Sequence, residues 1–398
     1  MNKLPSGWQH KSVGEVAEFI TTGKTPPTQF KDYFGGAILW FTPADVGVSK
    51  NLSLTERTLT KKAILERKAV LFPKDTLLIT CIGNIGRVGI ITRDGSTNQQ
   101  ITGIKFKANI DVNYAYYWFR NNSHRLVYKA NKAIVPILNN SQLREIKIEY
   151  PSLPIQKQIA EILEKADQAK QKRREADKLT EQFLQSAFIE MFGDPVRNPK
   201  GWEVRCLSEY FVIEPQNGIY KHSSEYGSGT RILRIDSFYD GKIYGIEKLK
   251  RVKVSSEEIQ KYGLIQNNIV INRVNSREYL GKCGLIPLLE EPMIFESNMM
   301  RFSVDDRIHP VYLTKLLTTD FMKGQILKVA KDAVNQSSIN QEDVKNFQVL
   351  IPPINLQQQF AKLVQKTEKL KEKQKESEVE LENLFNSLMQ KAFKGELE

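Results

Sequence analysis

The chain has 398 residues, 40% of them apolar and 26% charged, a balance that suits ordinary globular domains and leaves room for two or three. Its net charge of +12 favours partners that carry phosphate. No run of about 18 apolar residues is present to cross a membrane, and scattered cysteines (Cys81, Cys206, Cys283) and histidines (His10, His124, His222, His309) support neither a disulfide framework nor a zinc site.

Residues 1–150 open at Gly7-Trp8 and run through short β-rich stretches, Ala37–Phe41, Thr76–Thr80 and Val88–Thr92, broken by glycine, proline and asparagine. A helical patch follows from Asn113 to Ala130, where Tyr114, Tyr117, Trp118, Leu126 and Val127 fall near helical spacing and read as core. Residues 151–193 are then expected to form a long helix with apolar steps of four and three, ending at Phe192-Gly193-Asp194-Pro195. From Gly201-Trp202 the pattern restarts through residues 194–352, and residues 353–398 supply a second long helix. An offset of 201 carries Pro151 to Pro352, Gln156 to Gln357 and Ala160 to Ala361, so the chain is two tandem halves.

The expected heptad seam runs through Leu356, Phe360, Leu363, Thr367, Leu370, Gln374, Ser377, Leu381, Leu384 and Leu388, and in the first copy through Ile155, Ile159, Ile162, Ala166, Ala169, Arg173, Ala176, Thr180, Phe183 and Ala187. Helices this polar outside their seam predict an antiparallel coiled coil, with Ile155 near Leu388, Ile159 near Leu384 and Ile162 near Leu381. Two separate amphipathic helices, each packed on its own block, are the alternative. The fold class is therefore α+β, with two mixed, β-rich blocks separated by two long helices in a pseudo-twofold internal repeat.

Charge is unevenly placed. Residues 1–150 carry 21 Lys+Arg against 11 Asp+Glu, residues 194–353 carry 22 against 20, and the helical stretches are balanced. Attraction for phosphate thus concentrates in the first block. Gly23-Lys24-Thr25 lacks the upstream glycine of a phosphate-binding loop, and the adenine-methyltransferase quartet and any G-x-G-x-x-G after a strand are absent. Nothing assembles a nucleophile, a base and an oxyanion site, so neither catalysis nor a cofactor is expected from this chain.

What remain are loops rich in amides, hydroxyls and cations. In the first block the candidates are Thr22, Lys24 and Thr25, then Asn84 and Arg87, then Asn98, Gln99 and Gln100. In the second they are Asn217, Tyr220, Lys221 and His222, then Arg273, Asn275, Ser276 and Arg277, then Asn298, Asn335 and Gln336. Asn and Gln pair bidentately with adenine and Arg with guanine, while Lys and backbone amides hold phosphates.

These features resemble the specificity subunit of type I restriction-modification systems. The resemblance rests on Gly7-Trp8 and Gly201-Trp202, on Pro151 to Ile159 and its copy Pro352 to Phe360, and on Met191-Phe192-Gly193-Asp194 between the halves. The first-half lead-in Val135-Pro136-Ile137-Leu138-Asn139 departs by lacking the glutamine found at Gln336. The resemblance implies a cytoplasmic, non-catalytic subunit in which two target-recognition domains, 1–150 and 194–352, each read half of a bipartite site in double-stranded DNA. It also implies spacer helices that dock adenine-methylating modification subunits, and a motor-nuclease restriction subunit as a further partner. A coiled-coil scaffold joining two protein-binding domains is the competing reading; a self-sufficient methyltransferase or nuclease is a third.

Overall fold

Both heptad stretches fold as single helices, Leu153–Phe192 and Ile354–Lys394, in the computed structural model, which describes residues 5–130, 135–334 and 336–397. The chain divides into two units, Met1–Glu175 with Lys375–Glu398 and Ala176–Gln374. Each unit therefore holds one block together with part of both long helices.

In unit 1 a five-stranded sheet runs in the order Ala17–Thr22, Ile101–Phe106, Leu77–Thr80, Val88–Ile91, Asn51–Leu52, antiparallel except for its last pair. A smaller sheet joins Thr58–Leu59, Phe34–Phe41 and Gly95–Thr97, and a ribbon of Gln9–Ser12 with Lys147–Tyr150 closes the block just before the helix. Unit 2 repeats this plan. Its larger sheet orders Phe211–Asn217, Met299–Val304, Ile269–Asn272 and Cys283–Leu285; its smaller one orders Arg251–Val252, Tyr226–Leu233 and Met293–Phe295; its ribbon pairs Glu203–Cys206 with Gln348–Ile351. By sequence, Ile232–Asp236 aligns with the stretch from Leu39, and Asn268–Asn272 with Asp75–Ile79; the structure shifts both matches by one residue. Arg231, not Ile232, takes the place of Leu39 in the parallel pairing, and Ile269, not Val270, takes the place of Leu77. In a strand one step exchanges the two faces, so the shift decides which side chains enter the core.

The residues that carried the internal repeat turn out to fasten each block to a helix. Gln156 is fully buried; its Oε1 accepts from the Asp111 N–H and its Nε2 donates to the carbonyls of Asn109 and Pro151, all at 2.9 Å. Gln357, equally buried, accepts from the His309 N–H at 2.8 Å and donates to the Pro352 carbonyl at 2.7 Å. Asp111 and His309 cap equivalent helices, Val112–Asn121 and Pro310–Leu317. From these helices Tyr114 and Tyr312 donate to the carbonyls of Glu149 and Leu350 in the closing ribbons. Asn139 and Asn340 cap the short helices that precede those ribbons.

The aromatic patch of unit 1 folds as two helices, Val112–Asn121 and Ser123–Lys129, and is core as its spacing predicted except at Val127, which is 54% exposed. Tyr114, Tyr117 and Trp118 are at most 1% exposed, and Tyr114 and Tyr117 pack on Phe393 and Phe385 of the second long helix with ring centroids 5.6 and 6.5 Å apart. In unit 2, Tyr312 packs with Phe188 and Phe192 of the first long helix, and both of those rings pack on Phe360 of the second. Trp202 Nε1 donates to the Phe192 carbonyl at 2.8 Å, which seats the second block on the end of the first helix. In unit 1 the last turn of the second helix lies equally close to the block, where a Cβ on Gly395 would meet Trp8 Nε1 at 3.3 Å.

The helices pair antiparallel within each unit, but in a different register from the expected one. Lys170 meets Glu382 at 2.5 Å and Arg174 meets Glu378 at 3.7 Å in unit 1; Glu181 meets Lys371 at 3.8 Å and Thr180 accepts from Gln374 at 3.1 Å in unit 2. The expected register placed Lys170 opposite Lys373, nine residues earlier. Docking of Phe385, Met389 and Ala392 into the core of block one carries the second helix further along its partner. The seam keeps Ile159, Thr180, Ala187, Phe360, Thr367 and Gln374. At alternate positions it runs one residue later, through Gln156, Leu163, Lys170, Leu184, Gln357 and Phe385. Ile155, Phe183, Leu370 and Leu384 are consequently 42 to 51% exposed, while Ile162, Leu356, Leu363, Leu381 and Leu388 are half-buried. Seam polar groups find partners, which is what allows them inside.

Candidate nucleic-acid interface

In both units the loops singled out by sequence converge at the same end of the larger sheet, held by one repeated set of backbone hydrogen bonds. Gly23 N donates to the Ile101 carbonyl and Gly218 N to that of Met299. Cys81 N donates to the Gln100 carbonyl and Arg273 N to that of Asn298. Leu138 N donates to the Cys81 carbonyl and Ile339 N to that of Arg273. Gly23 is obligatory here, because a Cβ would overlap Thr97 Oγ1 and lie 2.5 Å from the Asn98 carbonyl; at Gly218 a Cβ would overlap the carbonyls of Phe295 and Glu296.

The side chains on this shared frame differ between the units. In unit 1, Thr22 Oγ1 lies 3.0 Å from Thr102 Oγ1 and donates to Asn140 Oδ1 at 2.9 Å. Thr25 donates to Gln99 Oε1, and Lys24 Nζ donates to the Arg67 carbonyl at 2.9 Å. Asn98 Nδ2 donates to Gln100 Oε1 at 3.0 Å. The Cys81–Arg87 turn has left-handed glycines at Gly83 and Gly86 and exposes Asn84 and Arg87; Arg87 Nη1 donates to the Pro43 carbonyl at 3.4 Å. The exposed Gln99 with Asn84 and Arg87 forms an amide and guanidinium surface suited to base edges.

In unit 2, Asn217, His222 and Tyr220 are exposed, Tyr220 at 77%. His222 Nδ1 caps a short 3-10 turn. Lys221 is not presented: its ammonium lies between Glu258 at 2.8 Å and Glu225 at 3.0 Å, and those hydrogen bonds raise its pKa. Arg273 donates to the Ser297 carbonyl at 3.1 Å. Asn275 accepts from the Ser276 N–H, and the Asn298 carbonyl accepts from Arg273 and Val274. Arg277 pairs with Asp332. Gln336 is exposed on the following hairpin, and Asn335 lies outside the described residues.

Sequence reasoning missed Asn140, Thr102, Asp332 and Arg301. Arg301 donates from Nη2 to Gln216 Oε1 at 2.9 Å and ties the first loop of unit 2 to the Lys261–Gly263 turn. The doubled polar pair Asn139-Asn140, repeated as Asn340-Gln341, was the available signal for Asn140; separation in sequence hid the others.

Both units pair cations with carboxylates: Lys50, Lys62, Arg120, Arg125, Lys129 and Lys147 in unit 1, and Lys221, Arg231, Arg234, Arg251, Arg277, Arg307, Lys315 and Lys345 in unit 2. The loop cations differ, since Lys24 and Arg87 of unit 1 donate to carbonyls whereas Lys221 and Arg277 of unit 2 face carboxylates. Among the described residues no group of His, Cys, Asp and Glu is placed to hold a metal, and no helix is long and apolar enough to cross a membrane.

Two α+β blocks that present unlike loops on one repeated frame, each seated on an antiparallel helix pair, define a two-site recognition protein. The chain matches the type I restriction modification DNA specificity domain over residues 5–180 and again over 199–381, and belongs to that family. The MjaIX specificity subunit of Methanocaldococcus jannaschii is 26% identical across 100% of this chain and 95% of its own length. The EcoKI specificity subunit of Escherichia coli K12 is 22% identical across 99% and 90%. Two solved structures share the fold. The S subunit of the type I system from M. genitalium has a TM-score of 0.59 at 15% identity over 98% of each chain, and a chain solved in work on complex assembly of the type I R-M system has 0.62 at 18% identity over the whole of both.

Proposed function

We propose that this chain is the DNA-specificity subunit of a type I restriction-modification complex, non-catalytic itself, working in the cytoplasm on double-stranded DNA with a bipartite site. The observation that carries this is the repeated hydrogen-bond frame that brings different side chains to the same end of each block. Residues 1–150 and 194–352 act as target-recognition domains, and residues 151–193 and 353–398 as the spacer that sets the gap. Asn84, Arg87 and Gln99 in the first domain, and Asn217, Tyr220 and Gln336 in the second, are the exposed groups suited to base edges. Phosphate contacts fall mainly to the first domain, where cations are less compensated.

The partners are modification subunits that methylate adenine and a motor-nuclease subunit. Ile155 and Leu384 in unit 1, and Phe183 and Leu370 in unit 2, displaced from the seam onto its flank, are exposed apolar side chains on which modification subunits dock. Footprinting of the assembled complex should show two protected half-sites with affinity that falls steeply with salt, by about 0.9 in log K per log salt for each neutralised phosphate. Sequence-blind binding at every salt concentration would favour a protein scaffold instead.

A further inference from the structure

We infer that Val334 reads a thymine methyl group in the second half-site and that Arg277 is a positioning residue for it; this rests on the DNA-reading function proposed above. Lys331–Asp332 pairs with Ser337–Ser338 as a hairpin, and Ala333 and Gln336 exchange backbone hydrogen bonds across it. Ser337–Ser338 also pairs with Val274–Asn275, which makes the hairpin part of the convergent loop cluster. Its approach is fixed through Asp332, whose Oδ1 accepts from Ser337 Oγ at 2.7 Å and whose Oδ2 pairs with Arg277.

Arg277 looked from the sequence like a base reader. Its guanidinium instead compensates the one carboxylate on the hairpin, so that the hairpin can approach phosphates without repulsion, and it fixes the strand that precedes the tip. Among the described residues of the tip, Val334 is 99% exposed. An apolar side chain held fully in water on an anchored hairpin has no role in the fold. A β-branched side chain has few rotamers to lose when it is ordered. The major groove has one apolar group to match it, the thymine C5-methyl. The loops around it, Asn217, Asn275 and Gln336, supply hydrogen-bonding groups and cannot sense that methyl.

The test replaces each thymine of the second half-site by deoxyuridine, which removes the methyl and keeps every hydrogen bond. A half-site containing the adenine to be methylated always holds a thymine on the opposite strand. Binding of the assembled complex is measured by competition on these duplexes. At one position the wild-type complex should lose about fourfold in affinity, the effect of one buried methyl group. Val334→Ser should abolish that penalty, with thermal melting and first-half-site recognition unchanged. Arg277→Ala should weaken the methyl discrimination, and Arg277→Lys, which keeps a cation opposite Asp332 and leaves its bond to Ser337 intact, should restore most of it, which a merely structural contact elsewhere would not do. If Val334→Ser keeps the full deoxyuridine penalty, or the wild type binds its sequence specifically with no penalty at any second-half thymine, the assignment is overturned. Loss of sequence-specific binding by the wild type would overturn the DNA-reading function itself.

Discussion

Replacing Gln156 by Leu should release block one from its helix while leaving unit 2 intact. The side chain is fully buried and makes three hydrogen bonds of 2.9 Å, to the Asp111 N–H and to the carbonyls of Asn109 and Pro151. Each is worth about 0.5–1.5 kcal/mol net, and a stranded buried group costs about 1–3 kcal/mol, so the loss should be about 3 kcal/mol. Gln357, with two such bonds, should cost about 2 kcal/mol when changed to Leu. At about 2–4 °C per kcal/mol for a unit of this size, Tm should fall roughly 6–12 °C for unit 1 and 4–8 °C for unit 2. Calorimetry, with hydrogen exchange to assign each transition, resolves the two. Gln156→Glu should do no better than Leu, because its acceptor survives while the one nitrogen that donates to both carbonyls becomes an oxygen facing them; acidification, by protonating the carboxyl, should recover part of the loss. A fall below 1 °C, or equal effects on both units from either variant, would refute the latch.

Acidification should weaken unit 2 selectively. His309 caps its helix through Nδ1, and burial holds its pKa below 6.5, so the unfolded chain takes up the proton first; the contribution is present above pH 6.5 and is lost as pH falls below it. His309→Asp should flatten that slope in urea titrations between pH 7.5 and 5.5. Gly23→Ala should distort the first loop cluster, at about 1–3 kcal/mol, and abolish recognition of the first half-site only, whereas Gly218→Ala should abolish the second; binding to duplexes with one half-site scrambled separates them. Phe183→Asp with Leu384→Asp should prevent co-purification of modification subunits without lowering Tm, since both side chains are half exposed.

The duplication, the α+β class and the two long helices were legible because they rest on local signals: heptad steps, Gly-Trp starts, helix-ending glycine and proline. The loops' recurrence at equivalent places in both halves was legible too; their convergence at one end of each larger sheet was not, because backbone hydrogen bonds between strands distant in sequence bring them together. The seam was half legible. Apolarity alone drew it through Ile155, Phe183 and Leu384, but burial of Gln156, Lys170 and Gln357 is decided by partners on Asn109, Glu382 and His309. The register was hidden for the same reason, because docking of the final turns on the blocks fixes it. Ion pairing was the other gap. Lys221 and Arg277 carry the right chemistry for DNA, and only the fold brings Glu258 and Asp332 to them.

The most direct measurement is a map of methylated adenines in DNA from cells that carry this chain with its modification and restriction partners. One bipartite sequence should emerge, with a methylated adenine in each half and a fixed gap, and exchange of residues 194–352 for those of a relative should change one half only. A continuous site, or a methylation pattern that survives deletion of this chain, would contradict the assignment of specificity to its two blocks.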